Sequence, residues 1–145
     1  MNSWSLPTEE AFNTEVNNTP QKIADLAPGN FMGQIEEIIH YENKDGSVSY
    51  DSFGLGIRIV ETDNQAHIGQ VLAYGVYLRT KRGKTNPHAY RFLRSLIPGI
   101  ASGEAWNPND LMMSVFSAEV AYNKAGYWNF DDVKFLKTND EFDMD

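Results

Sequence analysis

Hydrophobic and polar residues alternate along the middle of the chain, which is the pattern of half-buried β-strands. The first alternating stretch covers residues 29–41, and Asp45 and Gly46 behind it supply the positive φ that a hairpin turn needs. Two further alternating stretches follow at residues 47–62 and 71–79. The pattern therefore predicts three consecutive strands joined by polar turns.

The apolar spacing changes after the third strand. Apolar residues recur there at i, i+3, i+4, i+7 and i+8, which is the stripe of an amphipathic helix. Asn86 is suited to cap this helix, Pro87 to its first position, and the Pro-Gly pair at residues 98–99 to end it. Alternation then returns at residues 113–122 and 127–136, so two final strands flanking a hairpin turn are predicted.

The predicted order of elements is β-β-β-α-β-β, with one helix between strands 3 and 4. This is the chain order of the OB-fold, a small and partly open barrel. We therefore predict a mainly β, OB-fold-like five-stranded barrel over residues 29–137, after an irregular N-terminal lead-in at 1–28 and before a disordered acidic tail at 138–145. The predicted core comprises Phe53, Leu55, Ile57, Leu72, Tyr74, Val76, Phe92, Leu93 and Leu96.

Length and composition exclude several classes of protein. A chain of 145 residues has room for one ordinary domain. It contains no cysteine, which excludes disulfides, thiol nucleophiles and cysteine-based zinc sites. The three histidines lack ligand spacing, no apolar run approaches the ~20 residues of a membrane span, and the first residues do not resemble a secretory leader. We expect a soluble, cytoplasmic protein without metal, cofactor or membrane contact.

Charge is segregated along the chain. The formal net charge is −8, yet residues 64–103 contain no Asp or Glu and six of the twelve Lys and Arg residues. Four of those six lie in residues 79–84, directly behind the third predicted strand. An acid-free basic window in an acidic protein favours an anionic partner, although a basic turn can also be simply solvated.

Aromatic and basic side chains share the predicted strand faces opposite the core. Single-stranded nucleic acid requires this mixture, because cations follow the phosphates and rings stack unpaired bases at about 1–3 kcal/mol per base. Tyrosine is also a good strand former in its own right, and no recognition helix for duplex DNA is evident. We predict that Tyr50 and Tyr77 stack bases. The predicted phosphate contacts are Arg58, Arg79, Lys81, Arg82, Lys84 and Arg94.

A series of short motifs runs in order along residues 28–137. Its members are Pro28-Gly29, Asp45-Gly46, Gly69-Gln70-Val71, Phe92-Leu93-Arg94-Ser95-Leu96, Asn109-Asp110-Leu111, Ala118-Glu119-Val120 and Tyr122-Asn123-Lys124-Ala125-Gly126-Tyr127 with Asn129. The series resembles a phage-encoded family of single-stranded-DNA-binding proteins with an OB-fold. Where that family often has Gly-Lys shortly after the equivalent of Leu111, this chain has Met113-Ser114. The resemblance implies sequence-nonspecific binding of single-stranded DNA during phage DNA replication or recombination, in the host cytoplasm.

The last eight residues contain four acids and no base. Such a tail can meet basic residues of a partner while a hydrophobic side chain enters its pocket, can cover the protein's own basic groove, or can simply add solubility. It resembles the tails with which replication-type single-strand binders recruit other replication proteins, although those usually end on an aromatic residue. The resemblance implies a partner-binding tail formed by Asp140, Glu141, Phe142, Asp143 and Asp145.

Two other functions remain open on the sequence alone. One is a protein-interaction adaptor, a β-barrel whose basic loop meets an acidic partner. The other is a metal-dependent nuclease that uses Asp25, Glu42 and Lys44, a motif short enough to match by chance. Because no Gly-rich phosphate loop or nucleophile elbow is present, we predict a protein that is not an enzyme. The sequence does not fix the oligomeric state, and a homodimer is compatible with it.

Overall fold

The computed structural model describes residues 19–80 and 82–139. Within them, five strands form one antiparallel sheet in the order β3-β2-β1-β4-β5, and a helix lies between β3 and β4 in the chain. The prediction of a mainly β protein with a helix between strands 3 and 4 is confirmed. The elements are β1 (Gly29–Glu42), β2 (Val48–Thr62), β3 (Val71–Tyr77), α1 (Pro87–Leu96), β4 (Ser114–Tyr122) and β5 (Trp128–Thr138).

The helix begins where its sequence predicts. The Asn86 side chain accepts a hydrogen bond from the His88 N–H at 3.2 Å, and Pro87 occupies the first turn. The Asn86 amide also donates to the Tyr77 carbonyl oxygen at 2.8 Å, which ties the start of α1 to the end of β3. The apolar stripe of the helix is buried against the sheet as predicted, at Ala89, Phe92, Leu93 and Leu96.

Short 3-10 helices occupy connections that the sequence pattern predicted only as turns or loops. They cover Gln65–His67, Pro98–Ser102 and Pro108–Leu111. Asparagine side chains cap the first and third of them, which satisfies backbone N–H groups over a length too short for apolar periodicity to be visible. No helix within residues 19–80 and 82–139 has the length and apolar character needed to cross a membrane.

Strand β1 is bent by breaks in its register. Its pairing with β2 shifts at three places, which are Met32/Gly33, Ile35/Glu37 and His40/Glu42. A Cβ at Gly33 would lie 2.6 Å from Cγ2 of Ile57 and 2.8 Å from the Phe31 ring, so only glycine fits at this bend. The bends curl the sheet around a single hydrophobic core.

The core is rich in aromatic rings. Phe130 lies at its centre, with ring centroids 4.7 Å from Phe31, 4.8 Å from Tyr74 and 5.5 Å from Phe116. All of the predicted core residues are buried apart from Tyr74, which is partly buried and packs against the core. The predicted alternation of β2 and β3 is therefore correct in phase.

A segment at residues 20–27 bridges β3 and β5, the two edge strands of the sheet. The backbone of Gln21 pairs with β3, donating to the Val71 oxygen at 2.9 Å and accepting from the Ala73 N–H at 2.8 Å. Ile23 and Leu26 of the same segment are buried in the core. We call residues 20–27 the strap and the gap between β3 and β5 the seam. Part of the predicted lead-in is thus packed against the sheet.

Candidate functional site

Two tyrosines cover a pair of glycines on the face of the sheet that points away from the core. Gly54 of β2 and Gly75 of β3 are register partners on neighbouring strands. A Cβ at Gly54 would lie 2.8 Å from the Tyr41 hydroxyl oxygen, and one at Gly75 would lie 2.6 Å from the Tyr77 ring. The tyrosines therefore occupy the space that two side chains would fill. We call these four residues the tyrosine platform.

The rings of the platform are close together and partly open to solvent. The Tyr41 and Tyr77 ring centroids are 6.3 Å apart at an interplanar angle of 34°. Tyr77 is 53% exposed, whereas Tyr41 is half-buried. Burial, followed by the charge of Tyr77 and a hydrogen bond with it, raises the pKa of the Tyr41 hydroxyl above its ordinary value. A tyrosine is neutral at physiological pH even with its ordinary pKa, and the raised pKa keeps the Tyr41 hydroxyl protonated to still higher pH, so it does not repel an anionic ligand.

Residues 79–84, which we call the basic loop, begin two residues beyond Tyr77. The loop is closed by backbone hydrogen bonds from Thr80 N–H to the Lys84 oxygen at 2.7 Å and from Gly83 N–H to the Thr80 oxygen at 2.9 Å. Gly83 has φ 77°, the left-handed conformation that favours glycine in such a turn. The turn presents basic side chains at the end of the tyrosine platform.

The basic side chains of the basic loop differ in whether they already contact an acidic or carbonyl group of the protein. The Arg79 guanidinium donates to the Gly83 oxygen at 3.2 Å, and its Nε lies 3.6 Å from Oδ1 of Asp51 on β2. Both of these side chains are more than half exposed, so their ion pair is weak and easily exchanged for another anion. Arg82 and Lys84 are exposed at the turn itself. These three cations are therefore well placed for phosphate contacts.

The Arg58 side chain is held against the sheet by an ion pair and hydrogen bonds. Its Nε and one terminal nitrogen lie 3.1 and 2.9 Å from Oε1 of Glu36, and the other terminal nitrogen donates to the Gly69 oxygen at 2.8 Å. Its side chain is also less exposed than that of Arg79. These contacts link β1, β2 and the connection to β3. Its predicted phosphate contact stays a prediction, and Arg58 is not part of the site we describe.

The remaining predicted site residues lie at the margin of this face or beyond the described residues. Arg94 of α1 is exposed and lines a groove of about 440 Å³ together with Thr85, which directly follows the basic loop. The structure does not describe the Tyr50 side chain or Lys81, and the predictions for them stay predictions. The same holds for the tail residues Asp140, Glu141, Phe142, Asp143 and Asp145.

A second part of the site was missed by sequence reasoning. A groove of about 470 Å³, which we call the seam groove, lies between the strap, β3 and the start of β5. Tyr77 lines it from the platform side, and Tyr127 and Trp128 line it from the β4–β5 hairpin. Tyr127 is 72% exposed. The adjacent aromatic pair directly behind the predicted turn at residues 123–126 was the available signal for this site.

The residues of the alternative nuclease motif do not come together at one site. Asp25 lies in the strap next to the start of β1, where its Oδ1 is 3.9 Å from Nε2 of His67. Glu42 is the last residue of β1, and Lys44 follows it in the hairpin turn at the other end of the strand. Across residues 19–80 and 82–139, no three His, Asp or Glu side chains are grouped so that they could hold a metal ion.

Comparison with known proteins does not assign the chain to a family. No family model matches it, and no curated protein matches its sequence significantly. The resemblance to phage single-strand binders therefore stays a prediction, and the function is argued from the geometry of the tyrosine platform, the basic loop and the seam groove.

Proposed function

We propose that this protein binds single-stranded DNA without sequence specificity, stacking bases on the tyrosine platform and holding phosphates with the basic loop. The main support is a single observation. Two tyrosine rings lie on a floor made by Gly54 and Gly75, and this surface leads directly into Arg79, Arg82 and Lys84. The aromatic surface that would stack bases thus lies beside the positive charges that would hold phosphates.

The chemistry of the platform fits unpaired bases. Every base has a flat π-face, so stacking on an aromatic ring tolerates any sequence and contributes about 1–3 kcal/mol per base. In a duplex these faces are covered by neighbouring base pairs, and a flat sheet surface does not enter a groove as a recognition helix does. The exposed Tyr77 ring is therefore better suited to a single strand than to a double helix.

The arrangement of the strands supports an OB-fold. In the sheet order β3-β2-β1-β4-β5, joining the two edge strands would close a five-stranded barrel. OB-folds bind oligonucleotides on the face of strands 2 and 3 and with the loops between strands 1 and 2 and strands 4 and 5. The tyrosine platform lies over β2 and β3, and the seam groove reaches the β4–β5 hairpin. We propose an OB-fold barrel whose seam is bridged by the strap.

The biological setting that we propose follows the sequence resemblance. A protein that coats single strands without reading their sequence serves DNA replication or recombination, here that of a phage in the host cytoplasm. The acidic tail would recruit replication or recombination proteins. Both proposals depend on the binding activity, which is therefore the first property to test.

The direct test is a fluorescence-anisotropy titration of labelled oligo-dT with the full chain, with unlabelled duplex DNA as competitor. We expect tight binding that duplex does not displace and that weakens steeply with salt, because phosphate contacts release counterions. Absence of binding at low salt would refute the proposal and leave the protein-interaction adaptor as the leading function.

A further inference from the structure

The strap is held on both sides of the seam. On one side Gln21 pairs with the backbone of β3. On the other side the Trp128 indole N–H donates to the Ile23 oxygen at 2.8 Å, and the Tyr122 hydroxyl donates to the Leu26 oxygen at 2.6 Å. The strap therefore has a defined position between the two edge strands.

The burial of the strap determines which of its side chains face outward. Ile23 and Leu26 are buried in the core, whereas Lys22 and Ala24 are exposed. Lys22, Ile23 and Ala24 line the seam groove. The strap is thus one wall of this groove, with β3 and the β4–β5 hairpin as the other two.

The lining of the seam groove fits a nucleotide. Among the described residues, three tyrosines and one tryptophan line it, and Lys22 is the only charged residue in its lining. Asn129 adds an amide that can donate to and accept from the edge of a base. Its volume of about 470 Å³ is in the range of small-molecule sites. Since Tyr77 belongs to both surfaces, the groove continues the tyrosine platform.

We propose that the seam groove is a base-binding subsite in which one unstacked base of a single strand lies between Tyr77 and Tyr127, with its phosphate on the Lys22 ammonium group. This inference rests on the proposed single-strand binding and adds the strap to the binding site. The strand then runs from the basic loop over the platform and leaves across the strap.

Three full-length variants and one control variant test the subsite by oligo-dT anisotropy at several salt concentrations. Lys22→Ala is expected to weaken binding several-fold and to reduce the slope of log affinity against log salt by about 0.7, the value for one phosphate contact. Tyr127→Leu is expected to weaken binding about tenfold, and Tyr127→Phe to bind several-fold more tightly than Tyr127→Leu, because a phenyl ring still stacks. Lys137→Ala is the control, because it removes an exposed lysine near the end of β5 that is far from the β4–β5 hairpin, and this variant is expected to bind like the unmodified chain.

The outcomes separate the subsite from the function on which it rests. If Tyr77→Ala weakens binding while Lys22→Ala and Tyr127→Leu bind like the unmodified chain, single-strand binding stands and the subsite is wrong. If the unmodified chain does not bind oligo-dT, both proposals are wrong. Thermal melts of each variant exclude unfolding as the cause, which the exposure of Lys22 and Tyr127 makes a small risk.

Discussion

Two of the grooves formed by the described residues differ in the chemistry of their lining. The seam groove, of about 470 Å³, has Lys22 as its only charged lining residue within residues 19–80 and 82–139. A second groove, of about 350 Å³, is formed by β1, β4, β5 and the end of β2, and Glu61, Glu119 and Asp132 line it against the single cation Lys134. We call it the acidic groove. Volume alone would make both of them candidate binding sites.

The two grooves also differ in how far the aromatic side chains that line them are exposed to solvent. Among the described residues, Phe31 is the one aromatic residue that lines the acidic groove, and it is only 3% exposed and belongs to the core. The seam groove instead offers Tyr77 and Tyr127, both more than half exposed. If the proposed function is correct, a polyanion with unpaired bases should be attracted to the seam groove and repelled by the acidic groove. The comparison can be tested with matched pairs of substitutions.

The largest expected effect is the loss of a stacking ring. Tyr77→Ala removes a ring of the platform and is expected to cost about 1–3 kcal/mol of binding free energy, which is about fivefold to a hundredfold in Kd. Phe135→Ala on β5 is the matched control, because Phe135 is a similarly exposed strand residue at 44% against 53% for Tyr77. Anisotropy titrations measure both. Equal affinities for the two variants would show that the platform does not stack bases.

The second effect is a change in salt dependence. The double variant Arg82→Ala/Lys84→Ala removes two exposed cations of the basic loop and is expected to reduce the salt slope of oligo-dT binding by about 1.4. Lys134→Ala/Lys137→Ala removes the same charge from β5, beside the acidic groove, and is expected to leave the slope nearly unchanged. If both double variants lower the slope equally, net charge rather than a defined site governs binding.

The smallest effect is a gain in affinity. Asp51→Asn removes the carboxylate 3.6 Å from Nε of Arg79 and frees that guanidinium for phosphate. Because the ion pair is exposed and worth at most about 1 kcal/mol, we expect binding to strengthen by about two- to fourfold. The exposed Glu119 of the acidic groove gives the control, and Glu119→Gln is expected to change Kd by less than Asp51→Asn. The reverse order would place the ligand near the acidic groove.

The strands and the helix could be predicted because strand alternation and helix capping depend on residues that are close together in the sequence. The alternation of β2 and β3 placed Tyr77 and the core residue Val76 on opposite faces, and the Asn86 cap fixed the start of the helix. The alternation of inward and outward side chains is less regular in strand β1. Its register shift between His40 and Glu42 interrupts the alternation just where Tyr41 lies, so its place on the platform could not be derived.

The strap could not be predicted for a different reason. Its hydrogen bonds to the sheet include the backbone pairing of Gln21 with β3 and the side-chain bonds from Tyr122 and Trp128, which lie about a hundred residues further along the chain. Such contacts leave no periodic pattern in the sequence. The backbone of Met113 was also not predicted. It is left-handed, with φ 64°, and the one clue in the sequence is that the family which the chain resembles often has glycine at this position.

Binding of single-stranded DNA at the tyrosine platform, the basic loop and the seam groove is tested most directly by titrating ¹⁵N-labelled protein with oligo-dT and monitoring the amide chemical shifts by NMR. If single-stranded DNA binds at the proposed site, the largest shifts will cluster at Gly54, Gly75 and Tyr77, in the basic loop and in the strap at Lys22, while Asn30, Met32 and Glu119 of the acidic groove stay unchanged. Shifts concentrated on the acidic groove, or no saturable shifts at all, would contradict this proposal.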